Sequence, residues 1–221
     1  MDKKAFLTTF EQLVGRTAEA RAGLVGIPLV QRALSGEVTR EEYLAFLAQA
    51  YHHVKHTVPL LMACGARLPE RLDWLREAVA RYIEEEIGHE LWILDDIAAA
   101  GGDPEAVRRA GPAPATELMV AYAYDQIQRN NPAGFFGMVY VLEGTSVNLA
   151  HRAAAAIQQR LGLPETAFRY LTSHGSVDQE HIRFLEDLID RLDDADDQAA
   201  VTHAAGMFFR LYGDVFRSIA H

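Results

Sequence analysis

The chain has 221 residues, of which 49% are hydrophobic and 24% charged, as expected for one globular domain with a substantial core. Its formal net charge of −10 and pI near 5.3 disfavour a nucleic-acid surface, because phosphate contacts need clustered Lys and Arg. No apolar run approaches the roughly 20 residues that span a bilayer. We therefore expect a single domain over residues 1–221 that binds neither nucleic acid nor membranes.

The N-terminal segment and the cysteine content indicate the compartment. The first fifteen residues form an amphipathic pattern without the apolar run and cleavage site of a signal peptide. Cys64 is the single cysteine, which excludes an intramolecular disulfide and fits a reducing environment. We therefore expect a cytoplasmic protein.

Hydrophobic periodicity predicts helices along the whole chain. Apolar residues at helical spacing, the Thr39–Glu42 capping box and Gly or Pro breakers predict helices at 2–22, 28–35, 39–67, 70–100, 115–130, 132–161, 165–193 and 196–219. No alternating strand pattern and no fixed-period repeat interrupts them. The sequence therefore predicts an all-α bundle of seven or eight helices.

Glu86 and His89 are the first candidate metal ligands. Either alone would indicate little, since the Glu84–Glu86 run is typical of a solvated helix face. Their Glu-x-x-His spacing, however, places two ligands one turn apart, as in carboxylate-bridged di-iron bundles. Gly88 between them costs a helix about 1 kcal/mol relative to Ala. That cost is easier to understand where the backbone bends or approaches a site closely.

Glu143 is a carboxylate in an otherwise apolar predicted helix. Burying an ionised carboxylate costs several kcal/mol unless it is paired or bound to metal. One explanation is a protein partner, such as the guanidinium of Arg152 or the hydroxyl of Tyr140. We favour a metal ion.

A third group of candidates follows at positions i, i+4 and i+7, namely His174, Asp178 and His181. At about 100° per residue they share one stripe of a helix, close to the apolar positions of the same segment. Any amphipathic helix also produces this spacing, so the three could separately be a helix start, a surface acid and a core histidine. Taken with Glu86, His89 and Glu143, they predict a dinuclear metal site.

The donor types indicate which metal is expected. Imidazole and carboxylate ligands without thiolate favour iron or manganese over structural zinc. Six protein ligands shared by two ions leave positions open for water, dioxygen or substrate. Open coordination positions are typical of catalytic rather than structural metals.

These motifs resemble those of the haem-oxygenase-like di-metal oxidases and oxygenases, also described as TenA-like or iron-containing redox proteins. The resemblance covers nearly the whole chain and rests on Glu86-x-x-His89, Tyr140-Val-Leu-Glu143-Gly and His174-x3-Asp178-x2-His181. The Glu86-to-His89 spacing is similar to that of the alkene-forming fatty-acid decarboxylase. The Chlamydia protein associating with death domains has a longer gap there.

The resemblance implies a haem-oxygenase-like bundle in which two irons activate dioxygen with electrons from an external donor. Carried over by position, Glu86, His89 and His174 would hold one iron, and Glu143, Asp178 and His181 the other. We expect a small-molecule substrate, either an amino acid, a fatty acid or a carrier-bound acyl group, and a homodimer. Tyr51, Phe135, Met138 and Tyr140 are predicted to line the substrate pocket, although aromatic residues at helical spacing also pack in cores.

The same fold includes metal-free relatives, so other functions stay open. Thiaminase II-type hydrolases need a cysteine nucleophile on the helix that carries the central Glu, whereas Cys64 lies on a different predicted helix. A pyrroloquinoline-quinone-synthase-like protein would not need the ligand set. Haem oxygenase itself needs a proximal His near the N-terminus, and the first fifty residues contain none. His52 and His56, at i and i+4, are weaker candidates for a second metal site.

Overall fold

The computed structural model describes residues 7–219, apart from the side chains of Asn148 and of residues 174–181. Every regular element in this part of the chain is helical, which confirms the prediction of an all-α protein. Among these residues no helix combines the length and the apolar composition that crossing a bilayer requires.

The described residues form eleven α-helices, more than the seven or eight predicted. They are α1 (Thr9–Val25), α2 (Pro28–Ser35), α3 (Arg40–Val54), α4 (Thr57–Arg67), α5 (Asp73–Glu86), α6 (His89–Ala99), α7 (Pro104–Arg109), α8 (Pro114–Arg129), α9 (Phe135–Leu161), α10 (Arg169–Asp190) and α11 (Ala195–Ile219). Single 3-10 turns cover Glu70–Leu72, Pro132–Gly134 and Glu165–Ala167.

The predicted helix 39–67 was wrong in its middle. Thr39 caps the start of α3 with the expected capping box. Its hydroxyl oxygen accepts a hydrogen bond from the Glu42 backbone N–H, and the Glu42 carboxylate accepts one from the Thr39 backbone N–H. The helix then ends at Val54, and α4 begins at Thr57. The reason is Pro59, which has no N–H for the carbonyl of Lys55 and clashes with it.

The predicted helix 70–100 also divides, and the division falls between the first two candidate ligands. Ile87 is extended (φ −60°, ψ 121°), and Gly88 is left-handed (φ 90°, ψ −2°). Glu86 therefore ends α5 and His89 begins α6, rather than both lying on one continuous helix. Only glycine adopts this backbone without a Cβ penalty, which explains its presence here. The short helix α7 was not predicted separately.

Helix α9 connects the two halves of the core. Its first half, including Phe135, Phe136 and Val141, packs in a core shared with α1, α4, α5, α8 and α11. Its second half, including Ala150 and Ile157, packs in a core shared with α2, α3 and α6. Glu143, in the middle of α9, therefore lies where the two cores meet.

Two buried carboxylates hold helix starts in place. Asp96 of α6 is fully buried and accepts the backbone N–H groups of Arg169 and Tyr170, at 3.0 and 2.8 Å, at the start of α10. Asp197 of α11 is also fully buried and accepts from the guanidinium of Arg71 and from the Asn131 amide at 2.7 Å. Each carboxylate therefore ties distant segments together.

Candidate metal centre

Glu86 and His89 meet across the break between α5 and α6. His89 Nδ1 lies 3.1 Å from Glu86 Oε2, and the two side chains are only 13% and 12% exposed. The His89 ring packs against Trp92, with centroids 4.0 Å apart, and Trp92 in turn lies under the Arg169 guanidinium at 4.3 Å. These contacts orient the imidazole and link α6 to α10.

Glu143 reaches the same cavity as Glu86. The two carboxylates, from α9 and α5, line one cavity together with mainly apolar side chains such as Leu60, Leu61 and Leu142. A pair of carboxylates facing one apolar cavity needs cations, protons or strong donors to offset the loss of hydration. The structure thus brings together two of the predicted ligands and places the third, His89, beside one of them.

Tyr82 is a residue of this cavity that sequence analysis missed. It is 2% exposed and lines the cavity from α5. Burial raises the pKa of its phenol well above the ordinary value, and the charges of Glu143, Glu85 and Glu86 raise it further. Tyr82 therefore stays a neutral phenol. The feature of the sequence that could have identified Tyr82 is its position one helical turn before Glu86, on the same face of the helix.

The three histidines at the end of α3 and in the turn before α4 have different partners. His53 is 2% exposed, lines the cavity and packs edge-on against Tyr212. His52, by contrast, has Nδ1 3.4 Å from the Lys55 ammonium, and His56 Nδ1 lies 3.2 Å from the Tyr124 hydroxyl. The pair considered as a second metal site thus has separate partners, whereas His53 joins the carboxylate cavity.

The remaining predicted ligands, His174, Asp178 and His181, belong to α10 but lie outside the described side chains. Helix α10 packs against α9 and α6, which carry Glu143 and His89, and its first turn adds Tyr170 to the cavity. The described side chains alone contain no group of three or more His, Cys, Asp or Glu residues able to hold a metal. The six-ligand set therefore stays a prediction.

A family model described as "Iron-containing redox enzyme" matches residues 44–213, a segment that includes all six candidate ligands. The chain belongs to this family. The predicted family resemblance is thereby confirmed. No curated protein sequence matches the chain.

Solved structures show the fold of this family member. A domain of unknown function with a heme oxygenase-like fold from Shewanella denitrificans superposes with a TM-score of 0.85 at 24% identity, over 95% of this chain and 91% of that one. A TenA homolog from Pseudomonas syringae gives 0.80 at 14% identity, over 99% and 95%. Heme oxygenase-1 from Synechocystis, in complex with heme, gives 0.76 at 11%, over 97% and 93%. The predicted haem-oxygenase-like fold is confirmed.

The structure separates the four residues predicted to bind substrate. Phe135 and Met138 line the carboxylate cavity. Tyr140 instead points its hydroxyl to Thr17, at 3.3 Å, because it lies off the stripe of α9 that faces the cavity. Tyr51 is buried in the second core, beneath the Lys55 ammonium.

Cys64 lies in α4 with no exposed surface and is not among the residues that line the cavity. Its thiol faces the Pro132 carbonyl at 3.5 Å, and burial raises its pKa to about 12. A thiol with so high a pKa is a poor nucleophile near neutral pH. This agrees with the argument from sequence against Cys64 as a thiaminase-type nucleophile.

Proposed function

We propose that this member of the iron-containing redox enzyme family is a non-haem di-iron oxidase or oxygenase that uses dioxygen to oxidise a small organic substrate. The observation that carries the proposal is the joint position of Glu86 and Glu143, which come from different helices and line one apolar cavity. His89 lies within hydrogen-bonding distance of Glu86. Membership of the iron-containing redox enzymes supports the choice of metal.

The donors at the cavity fit iron. Carboxylate oxygens and imidazole nitrogens without thiolate are ligands that iron or manganese accepts. By the family resemblance, Glu86, His89 and His174 would hold one ion, and Glu143, Asp178 and His181 the other. Bound iron would supply the electron transfer to dioxygen that no side chain can perform, with an external donor to reduce it.

The chain's own side chains prepare the cavity for such a reaction. Leu60, Leu61 and Leu142 give the cavity apolar walls, and electrostatic interactions are stronger beside apolar walls than in water. Phe135 and Met138 offer apolar contact to a substrate beside the carboxylates. Tyr82 keeps its proton and can donate it in a hydrogen bond to an oxygen atom in the cavity.

The competing proposal is a metal-free, TenA-like hydrolase, because a TenA homolog shares the fold. Such an enzyme of the thiaminase II type would need an activated cysteine. Cys64 is buried on α4, is not among the residues that line the cavity, and has a raised thiol pKa. We therefore expect Cys64→Ser to retain full activity. Cleavage of an aminopyrimidine without dioxygen, lost in Cys64→Ser, would instead favour the hydrolase.

Iron stoichiometry tests the di-iron proposal directly. Full-length protein reconstituted anaerobically with ferrous iron should bind about two ions per chain, as in other carboxylate-bridged bundles. Glu143→Gln and Glu86→Gln should each lower that number and abolish dioxygen consumption, with the helical circular dichroism preserved. Glu84→Gln is the matched control for Glu86→Gln and should leave the iron content unchanged, because Glu84 also lies on α5 but is exposed. An iron content that is zero, or that Glu143→Gln leaves unchanged, contradicts the proposal.

A further inference from the structure

Trp92 of α6 contacts two neighbours at once. Its indole lies against the His89 imidazole, with ring centroids 4.0 Å apart and ring planes 33° from parallel. The Arg169 guanidinium lies over the same indole, 4.3 Å from its centroid. Arg169 is the first residue of α10. The indole therefore joins a candidate metal ligand to the start of another helix.

The Arg169 end of this arrangement is fixed by a second set of contacts. Asp96, fully buried on α6, accepts the backbone N–H groups of Arg169 and Tyr170 at 3.0 and 2.8 Å. His89, Trp92 and Asp96 are at positions i, i+3 and i+7, so they share one stripe of α6. A shift of the first turn of α10 would break two charge-assisted hydrogen bonds. The guanidinium is therefore held over the indole.

His89 lies where an imidazole needs such support. It is the first residue of α6, directly after the left-handed Gly88, so no preceding turn of the same helix packs against its ring. Its contact with Glu86 joins Nδ1 to Oε2 at 3.1 Å, and both atoms are potential metal donors. A metal that takes up Nδ1 ends that hydrogen bond. The contact with Trp92 uses the ring face and is compatible with a metal at either nitrogen.

We infer that Trp92 is a positioning residue of the metal centre, which holds the His89 imidazole in its metal-binding orientation and is itself held by Arg169. The inference rests on the proposed function, because it takes Glu86 and His89 as ligands of one iron. Partners that orient a metal ligand typically contribute about ten- to a hundredfold to metal affinity. Trp92 should contribute within this range, because an imidazole that turns freely loses conformational entropy when a metal fixes it.

Cobalt(II) titrations of the iron-free, full-length protein test the inference, because cobalt(II) accepts the same nitrogen and oxygen donors as iron(II). Trp92→Leu should weaken the binding of one cobalt(II) ion per chain by about tenfold or more. Trp92→Phe keeps a ring face against the imidazole, so its affinity should stay within about threefold of the wild-type value. Isothermal titration calorimetry measures both affinities.

Trp74→Leu is the matched control. Trp74 lies on α5, about 18 Å along the helix from Glu86, and like Trp92 it is partly buried. It also has a guanidinium over its ring, that of Arg191 at 4.1 Å. Loss of packing should therefore lower the stability of both leucine variants, whereas only Trp92→Leu should lose cobalt(II) affinity. Equal cobalt(II) affinity in the two leucine variants overturns the inference.

Tryptophan fluorescence gives a second readout that needs no change at Trp92. Trp74→Phe leaves Trp92 as the single tryptophan of the chain. Cobalt(II), which quenches a neighbouring indole, should quench its emission, whereas zinc(II), with a filled d shell, should not. Glu86→Gln in the same background should shift this quenching to higher cobalt(II) concentrations, because it removes a donor of the same ion. Cobalt(II) binding that leaves the Trp92 emission unchanged overturns the inference, even if Trp92→Leu does not fold.

Failure of this inference can be told apart from failure of the di-iron proposal. Wild-type protein that binds neither iron nor cobalt(II) refutes the di-iron proposal and, with it, the role of Trp92. Wild-type protein that binds about two irons per chain, with equal metal affinity in Trp92→Leu and Trp74→Leu, refutes the role of Trp92 alone.

Discussion

Gly88 is the residue whose replacement tests most directly how the candidate site is built. With φ at 90° it lies in the left-handed region, between Glu86 at the end of α5 and His89 at the start of α6. A Cβ added there would meet no atom within 4 Å, so crowding makes no contribution to the cost. In Gly88→Ala the left-handed backbone costs about 1–2 kcal/mol, partly offset by about 0.4–1 kcal/mol from a less flexible unfolded chain.

We therefore expect Gly88→Ala to lower the free energy of unfolding by about 1 kcal/mol, or the melting temperature by about 2–4 °C. Chemical denaturation of the iron-free protein measures this. Gly15→Ala is the matched control: Gly15 lies in α1 with open space around it and no positive φ, so alanine should stabilise the protein by about 0.5–1 kcal/mol. Gly88→Asn should cost less than Gly88→Ala, because asparagine tolerates the left-handed region better.

The same variant should impair iron binding more than it impairs folding. A chain that avoids the left-handed conformation must reorient the start of α6, and with it the His89 ring that now faces Glu86. We expect weaker iron binding in Gly88→Ala than in Gly15→Ala under identical anaerobic reconstitution. A Gly88→Ala protein that is stabilised as much as Gly15→Ala, and that binds iron normally, would refute the role of the left-handed break.

The two buried carboxylates provide further predictions. Burial raises the pKa of Asp96 to about 6, above its unfolded value, so its contribution to stability is largest below about pH 4 and falls as the pH rises through 6. The difference in unfolding free energy between wild type and Asp96→Asn should therefore shift in favour of the wild type between pH 7 and pH 5, as urea titrations will show. Arg71 lowers the pKa of Asp197, so this group stabilises the protein above about pH 4 and loses that effect as the pH falls. Asp197→Ala should cost about 1–3 kcal/mol at pH 7, toward the lower end because Arg71 is half exposed, and equal stability of the two proteins at pH 7 would contradict this.

The all-α class and most helix ends could be predicted from the residues alone, because they depend on local patterns. Apolar spacing, the Thr39 capping box and the Gly101–Pro104 breaker act within a few residues of where they occur. The family motifs likewise singled out Glu86, His89 and Glu143, since the chemistry of these residues is visible in their types and spacing. The predictions of continuous helices at 39–67 and 70–100 were wrong because of Pro59 and Gly88. Each of these residues interrupts the helical backbone inside an otherwise continuous apolar pattern.

Which side chains share a cavity depends instead on how the helices pack against one another. Tyr140 and Met138 look equally suited to a pocket, yet a difference of two residues on α9 turns one toward Thr17 and the other toward Glu143. Tyr82 and His53 belong to the site because α5 and α3 each present a side chain to the cavity that α9 also lines, although these residues lie far apart in sequence. Such contacts depend on how whole helices pack, and periodicity within one helix carries no information about its neighbour. The apolar cavity lined by Leu29, Phe46, Leu149 and Phe216 arises in the same way, from residues of several helices.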